Sequence, residues 1–233
     1  MKRTWAILLL LGLVFPSAAL GVVQKDTLKS KIKAWAGGQD WSLYSSYNLV
    51  AFSDEVWKTV LNKDNLPLLR FGGGWYPLPN LAVDFAMGGM YEQAKSVGTI
   101  SGAASGEEFK LYVVPVELGV RYRFKFLANQ LVVPSVFAAY EWWYFREDPD
   151  SGDMVEGSKV GWRYGADLGL LLDPLDPDAA HVMKRDYGVT DTYLCLGYEV
   201  LQMDAAGGLD FSGTIYTASL RFDLGPDRAH AKP

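Results

Sequence analysis

The chain has 233 residues, 49% of them hydrophobic and 14% aromatic, with a formal net charge of −5. That mild acidity, without a basic tract, argues against a nucleic-acid partner. A mean hydropathy of +0.02 is too low for a bundle of membrane helices. It is compatible with a membrane barrel, where alternating polar and apolar residues cancel. Cys195 is the single cysteine, which excludes an internal disulfide.

The start, MKRTWAILLLLGLVFPSAALG, has Lys2 and Arg3 ahead of an apolar run from Trp5 to Phe15, then Pro16 and the small residues Ser17, Ala18 and Ala19. This predicts a secretory signal peptide over 1–21, cleaved after Ala19 or Gly21. The run is short for a bilayer anchor, and no other segment is apolar for long enough to be a membrane helix. The mature part divides into a barrel over 22–224 and a C-terminal tail over 225–233.

Segments with period-two alternation follow. The first, 29–37, is weak and carries Ile32, Ala34 and Ala36 on one side. After a polar and aromatic stretch, SDEVWKTVLNK (53–63) predicts a short helix with Ser53 as N-cap. Strands are expected over 66–76 and 81–92, joined by the turn PLPN (77–80), and then a Gly/Ser/Ala loop over 96–107. The next strand covers about 108–126 and turns at LANQ (127–130) into 131–145. An acidic loop spans 146–158, and strands over 159–172, 190–203 and 209–224 complete the set, with 173–189 as a long connection. That is about eight strands. The connections mostly alternate long and short, as in barrels with short periplasmic turns and longer external loops; 173–189 and 204–208 break the alternation. Pro115 and Pro134 each remove a ladder donor, so each is expected to mark a bulge or a strand end.

The two faces differ in kind. VPVELGVRYRFKF (114–126) sets Val116, Leu118, Val120, Tyr122, Phe124 and Phe126 against Glu117, Gly119, Arg121, Arg123 and Lys125. Across all strands the polar parity collects Arg70, Asp84, Glu117, Arg121, Glu141, Arg163, Asp167, Glu199 and Arg221, with many glycines. A soluble lipocalin-like barrel would point the apolar side inward, but about eight strands enclose little more than side-chain volume. Glycines fit that interior and rings fit outside. An outward Arg at mid-bilayer costs about 2–4 kcal/mol, so the charges are assigned to the lumen as an ion-pair network, with Glu141 and Arg163 as the first expected pair. Tyr122, Phe124, Phe126 and Phe222 are expected to form one aromatic girdle, and Trp142, Tyr144, Trp162 and Tyr164 the other.

The stretches PVELGVRYRF (115–124) and LLLDPLDP…YGVTDTYLCLGYE (170–199) resemble small outer-membrane β-barrels of the OmpW and opacity-protein kind, over about residues 60–224. The resemblance implies an all-β, antiparallel transmembrane β-barrel of about eight strands in the outer membrane of a Gram-negative-type bacterium. It also implies outer-membrane lipid as surroundings and the barrel-assembly machinery as a partner in biogenesis. The last strand resembles the assembly signal, with Thr217 polar, Ser219 small, and Phe222 and Leu224 apolar. It departs from the usual pattern because GPDRAHAKP follows and a terminal aromatic is lacking.

Little in the sequence points to catalysis. His181 and His230 are the only histidines; they lie in a connection and in the tail, with neither hydrolase-pair nor metal-ligand spacing. DPDSGD (148–153) lacks the full calcium-loop series, and Gly72-Gly73-Gly74 is followed by no phosphate-loop Lys. Cys195 reads as a small interior residue. No enzyme, cofactor or metal is expected. Two roles follow: a plugged barrel with a structural or interaction role in the cell envelope, or a narrow conduit for small solutes of the OmpW kind.

Overall fold

The computed structural model describes residues 41–55, 57, 63–97, 104–127, 130–150, 153–204 and 210–225. Eight antiparallel strands follow one another into a closed barrel. They are β1 (Trp41–Phe52), β2 (Leu66–Leu78), β3 (Leu81–Val97), β4 (Ala104–Arg123), β5 (Val132–Pro149), β6 (Val155–Leu171), β7 (Val189–Met203) and β8 (Gly213–Leu224). Register partners traced once around from Ser42 run through Gly74, Asp84, Gly119, Ala139, Arg163, Leu201 and Gly213 and arrive at Phe52, ten residues further along β1. This stagger tilts the strands and closes the sheet without an edge.

Strand alternation then decides what each wall presents. Leu118 is 60% exposed and Trp162 58%, while Glu141 on the opposite parity is fully buried. The wall is apolar outside, and through the middle of the barrel it is charged inside, the reverse of a soluble barrel. Interior glycines let neighbouring strands approach: a Cβ on Gly161 would stand 2.1 Å from the Gln202 carbonyl oxygen. The space they leave is taken by side chains from other strands.

At the rim where β1 begins and β8 ends, the terminal rim, connections are compact. Pro134 has no N–H to give β4, and the Gln130 amide takes that place. Its Nε2 donates to the Phe124 carbonyl at 2.7 Å, and its Oε1 accepts from Phe126 N at 3.0 Å. Between β6 and β7 the chain forms a 3-10 turn (Asp173–Leu175) and helix α1 (Pro177–Tyr187). Pro177 opens α1, the Asp176 carboxylate accepts from Ala179 N at 3.0 Å, and Gly188 closes it with φ 73°. This helix was not foreseen in the 173–189 connection, although DP at its start and YG at its end are boundary signals.

Several other sequence expectations differ. The weak strand at 29–37 and the signal peptide lie outside the described residues. The strand that closes the barrel is β1, in the polar and aromatic stretch after 29–37. Of the helix expected over 53–63, Glu55 and Trp57 are helical, and most of the rest lies outside the described residues. The loops expected over 96–107 and 146–158 are shorter, because β3 and β4 reach Val97 and Ala104, and β5 and β6 reach Pro149 and Val155. Conversely, β4 stops at Arg123, three residues before the expected end at 126. Pro134 is the third residue of β5, paired with Leu168 of β6, with its missing N–H facing β4. Pro115 lies inside β4 with no bulge: the β3–β4 register is the same on both sides of it, although Gly88 and Gly89 opposite Pro115 and Val114 are unpaired; the ladder's register shift falls further along, between Lys95 and Val97.

Candidate functional site

The lumen is filled in layers. The central one gathers Arg70 from β2, Glu117 from β4, Glu141 from β5, Arg163 from β6 and Glu199 from β7. Arg163 is its hub: Nε lies 2.5 Å from Glu141 Oε1, Nη1 lies 2.6 Å from Glu199 Oε2, and Nη2 bonds Glu117. Arg70 stands further off, 3.8 Å from Glu117, 3.6 Å from Glu141 and 3.5 Å from Glu199. Neutral donors take remaining carboxylate oxygens. Tyr44 OH donates to Glu117 at 3.0 Å and Trp143 Nε1 to Glu141 at 3.0 Å. The Thr217 hydroxyl lies 2.8 Å from Glu199 Oε1 and 2.8 Å from Asn48 Oδ1. These bonds offset the loss of water around the buried carboxylates, while Arg70 Nε and Nη2 are buried without a hydrogen-bond partner.

A second layer lies toward the terminal rim. Arg121 Nε is 2.7 Å from Asp84, and its Nη1 bonds Asp167 and, at 3.2 Å, Ser135 Oγ. Ser135 Oγ donates to Asp167 at 2.7 Å, and Arg221 approaches that carboxylate at 3.8 Å. The Phe137 ring divides the layers, with Arg121 Cζ 4.6 Å from its centre and Arg163 Cζ 4.7 Å, within the range of cation–π attraction. Nearest the rim, Arg123 bonds Asp223 at 2.6 Å and Tyr76 OH at 3.0 Å, and Lys125 pairs with Asp191 at 2.7 Å.

The opposite end is apolar. Phe52, Trp57, Trp143, Phe145 and Phe211 pack edge to face or tilted, with ring centres 4.9 to 6.4 Å apart, among buried Leu, Ile, Val and Met side chains. Trp57 Nε1 donates to the Asp210 carbonyl at 2.6 Å, a satisfied buried indole. The expectation that rings stay outside therefore fails here: Trp143 and Phe145 fall on the inward parity of β5, and the Phe145 ring takes the space beside Gly157, where a Cβ would stand 2.7 Å from it. A cavity among the charged layers, lined by Tyr44, Asn48, Arg70, Glu199 and Thr217, holds about 20 Å³ of free space, room for roughly one water.

All nine expected lumen residues, Arg70, Asp84, Glu117, Arg121, Glu141, Arg163, Asp167, Glu199 and Arg221, lie buried inside and within these layers. Of the eight residues expected in the girdles, Tyr122, Phe124, Phe126, Trp142, Trp162 and Tyr164 are exposed. Phe124 and Phe126 lie past the end of β4. Tyr144 is half-buried and donates to Glu156 at 2.8 Å. Phe222 is half-buried in a cluster with Met183 and Tyr187 of α1. Tyr44 and Asn48 are absent from the expected lumen residues because no strand is expected over 41–52, and Phe137 and Thr217 because their residue types do not mark a charged interior. Among the described residues, no group of three or more His, Cys, Asp or Glu side chains could hold a metal.

A closed eight-stranded antiparallel barrel, apolar outside and charged inside, is the fold of the small outer-membrane barrels, the class expected from the OmpW and opacity-protein resemblance. One solved structure shares this fold. The chain is similar to the outer membrane protein OprG of Pseudomonas aeruginosa, with a TM-score of 0.57 and 10% identity, over 80% of this chain and 96% of that one. Weaker likenesses are to the N-terminal β-barrel domain of Pseudomonas aeruginosa OprF, with a TM-score of 0.42, 10% identity, and 78% and 97% of the two chains covered. Neisserial surface protein A follows, with a TM-score of 0.41, 16% identity, and 80% and 96% covered. No family model and no curated protein matches the sequence.

Proposed function

We propose that this protein is an outer-membrane barrel with a sealed lumen and a structural or interaction role in the cell envelope, and not an enzyme. The observation that carries this reading is the filled interior: Arg163 bonded to three glutamates, under an aromatic cluster that occupies the far end. The terminal rim then faces the periplasm and the aromatic end faces outside. The outward Trp142, Tyr144, Trp162 and Tyr164 form the external girdle, and Tyr122, Phe124, Phe126 and Phe222 the periplasmic one. The signal peptide at 1–21, the barrel over 22–224, the tail at 225–233 and delivery by the assembly machinery belong to the same reading. Swelling of proteoliposomes in small sugars and amino acids tests it: the expected rate is that of protein-free vesicles.

A second reading is the narrow conduit, favoured by one observation. Pairing between β3 and β4 lapses at Gly88 and Gly89 opposite Pro115 and Val114, where proline offers no donor, although the inward side is closely packed, with a Cβ on Gly88 only 2.5 Å from the Leu69 carbonyl oxygen. A route there leads sideways through the wall, below the aromatic cluster. A disulfide between Gly89→Cys and Val114→Cys would abolish uptake by such a route and leave a sealed barrel unaffected.

A further inference from the structure

Helix α1 does not lie under the mouth of the barrel. Its Met183 and Tyr187 pack with Val189, Leu224, Trp41 and Phe222. Trp41 pairs with Leu224, and Leu43 with Phe222; Leu43 on that parity is exposed, whereas Ser42 on the other is buried inside. The cluster is therefore on the outer wall of β8 and β1, continuous with the apolar surface. Ala180, Met183, Lys184 and Tyr187 are the half-buried face of α1, at the i, i+3, i+4, i+7 spacing of one helical side. The opposite side carries Asp178, Val182 and Arg185. Val182 is 41% exposed, and Leu175, just before the helix, is 80% exposed.

We propose that α1 is a membrane-surface helix, seated against the outer wall in the phospholipid headgroup layer of the periplasm-facing leaflet. This rests on the outer-membrane reading above. Three features fit that depth. The packed side covers the lower end of the apolar wall, where acyl chains would otherwise end. The outward side mixes an apolar Val182 with both charge signs, and Arg185 bonds Asp186 at 2.9 Å, which suits a zwitterionic headgroup and is too polar for hydrocarbon. Leu175 projects from a turn at the same rim. Helices of this kind lie in the interface plane with their apolar residues shallowly buried.

Nitroxide labels in phosphatidylethanolamine-rich vesicles test the proposal. Val182→Cys and Leu175→Cys are labelled in a Cys195→Ser background, with Leu196→Cys on the middle of the outer wall and Asp64→Cys at the far end as references. Collision with oxygen is compared with collision with a water-soluble nickel chelate. The expected oxygen-to-nickel ratio at 175 and 182 lies between the references and several-fold above Asp64. A ratio at 182 equal to that of Asp64 overturns the proposal, since α1 then faces water. Shielding of 182 from both reagents overturns it too, since protein then covers the helix. An aqueous ratio at Leu196 itself overturns the membrane reading, and the proposal with it.

Discussion

Arg163 Nε lies 2.5 Å from Glu141 Oε1, and neither side chain is more than 4% exposed. The two strands are neighbours, with Arg163 paired across the ladder to Ala139 and Glu141 to Gly161, so each long side chain leans over a small residue of the other strand. Removing the guanidinium by Arg163→Met leaves three carboxylates with one distant arginine. The expected loss is about 3–5 kcal/mol. Arg163→Met with Glu141→Gln together should cost less than the two singles summed, as read by thermal unfolding in detergent.

Position 120 separates the outer wall from the lumen beside it. Val120→Arg places a charge on the apolar surface and costs about 2–4 kcal/mol where that surface meets mid-bilayer, but little in a fluid micelle. Gly119→Ala brings a Cβ to 2.6 Å from Ala139 Cβ and 2.7 Å from the Ala138 carbonyl oxygen, and such overpacking costs about 1–3 kcal/mol in either medium. Heat-modifiable mobility after refolding into vesicles and into detergent gives the comparison. Val120→Arg should fail selectively in vesicles.

These two positions also show what was legible from sequence. Strict alternation in 114–126 and 159–172 sorted Val120 from Gly119 and Arg163 from Trp162, because a period of two admits only two answers. Register was not legible in that way, so neither the Arg163 hub nor its distance to Glu117 two strands away followed from pattern. β1 escaped notice because Ser42, Ser46 and Asn48 on its inner parity, and Ser45 on its outer, weaken the contrast. Helix α1 escaped because its packed face is formed by Ala180, Met183 and Tyr187 and becomes apolar only against Trp41 and Phe222. The aromatic end does not follow from a lumen of uniform width, because small residues widen it locally: a Cβ on Gly157 would stand 2.7 Å from the Phe145 ring and one on Gly161 2.7 Å from Met203 Sδ.

Gln130 and Pro134 form a local test of backbone accounting. Gln130→Ala removes the donor to the Phe124 carbonyl, and the expected loss is about 0.5–1.5 kcal/mol. Pro134→Ala in that background restores a backbone N–H at the same place and should recover part of the loss, measured as the shift in unfolding midpoint in urea.

Phe137 stands between two guanidinium groups, 4.6 Å from Arg121 Cζ and 4.7 Å from Arg163 Cζ. Phe137→Ala opens a gap between the charged layers, with an expected loss of about 3–5 kcal/mol. Phe137→Leu keeps much of the volume but no π face, so its smaller loss, by thermal unfolding, separates ring packing from cation–π attraction.

Single-channel recording in planar bilayers tests the sealed lumen most directly. With the Arg163 layer and the Trp143–Phe211 cluster in place, the native barrel should show no stable conductance in molar salt, at either polarity. Phe211→Ala with Trp143→Ala, which empties the far end, should give at most brief openings, because the charged layers remain. A stable, ohmic conductance from the native protein would contradict the account.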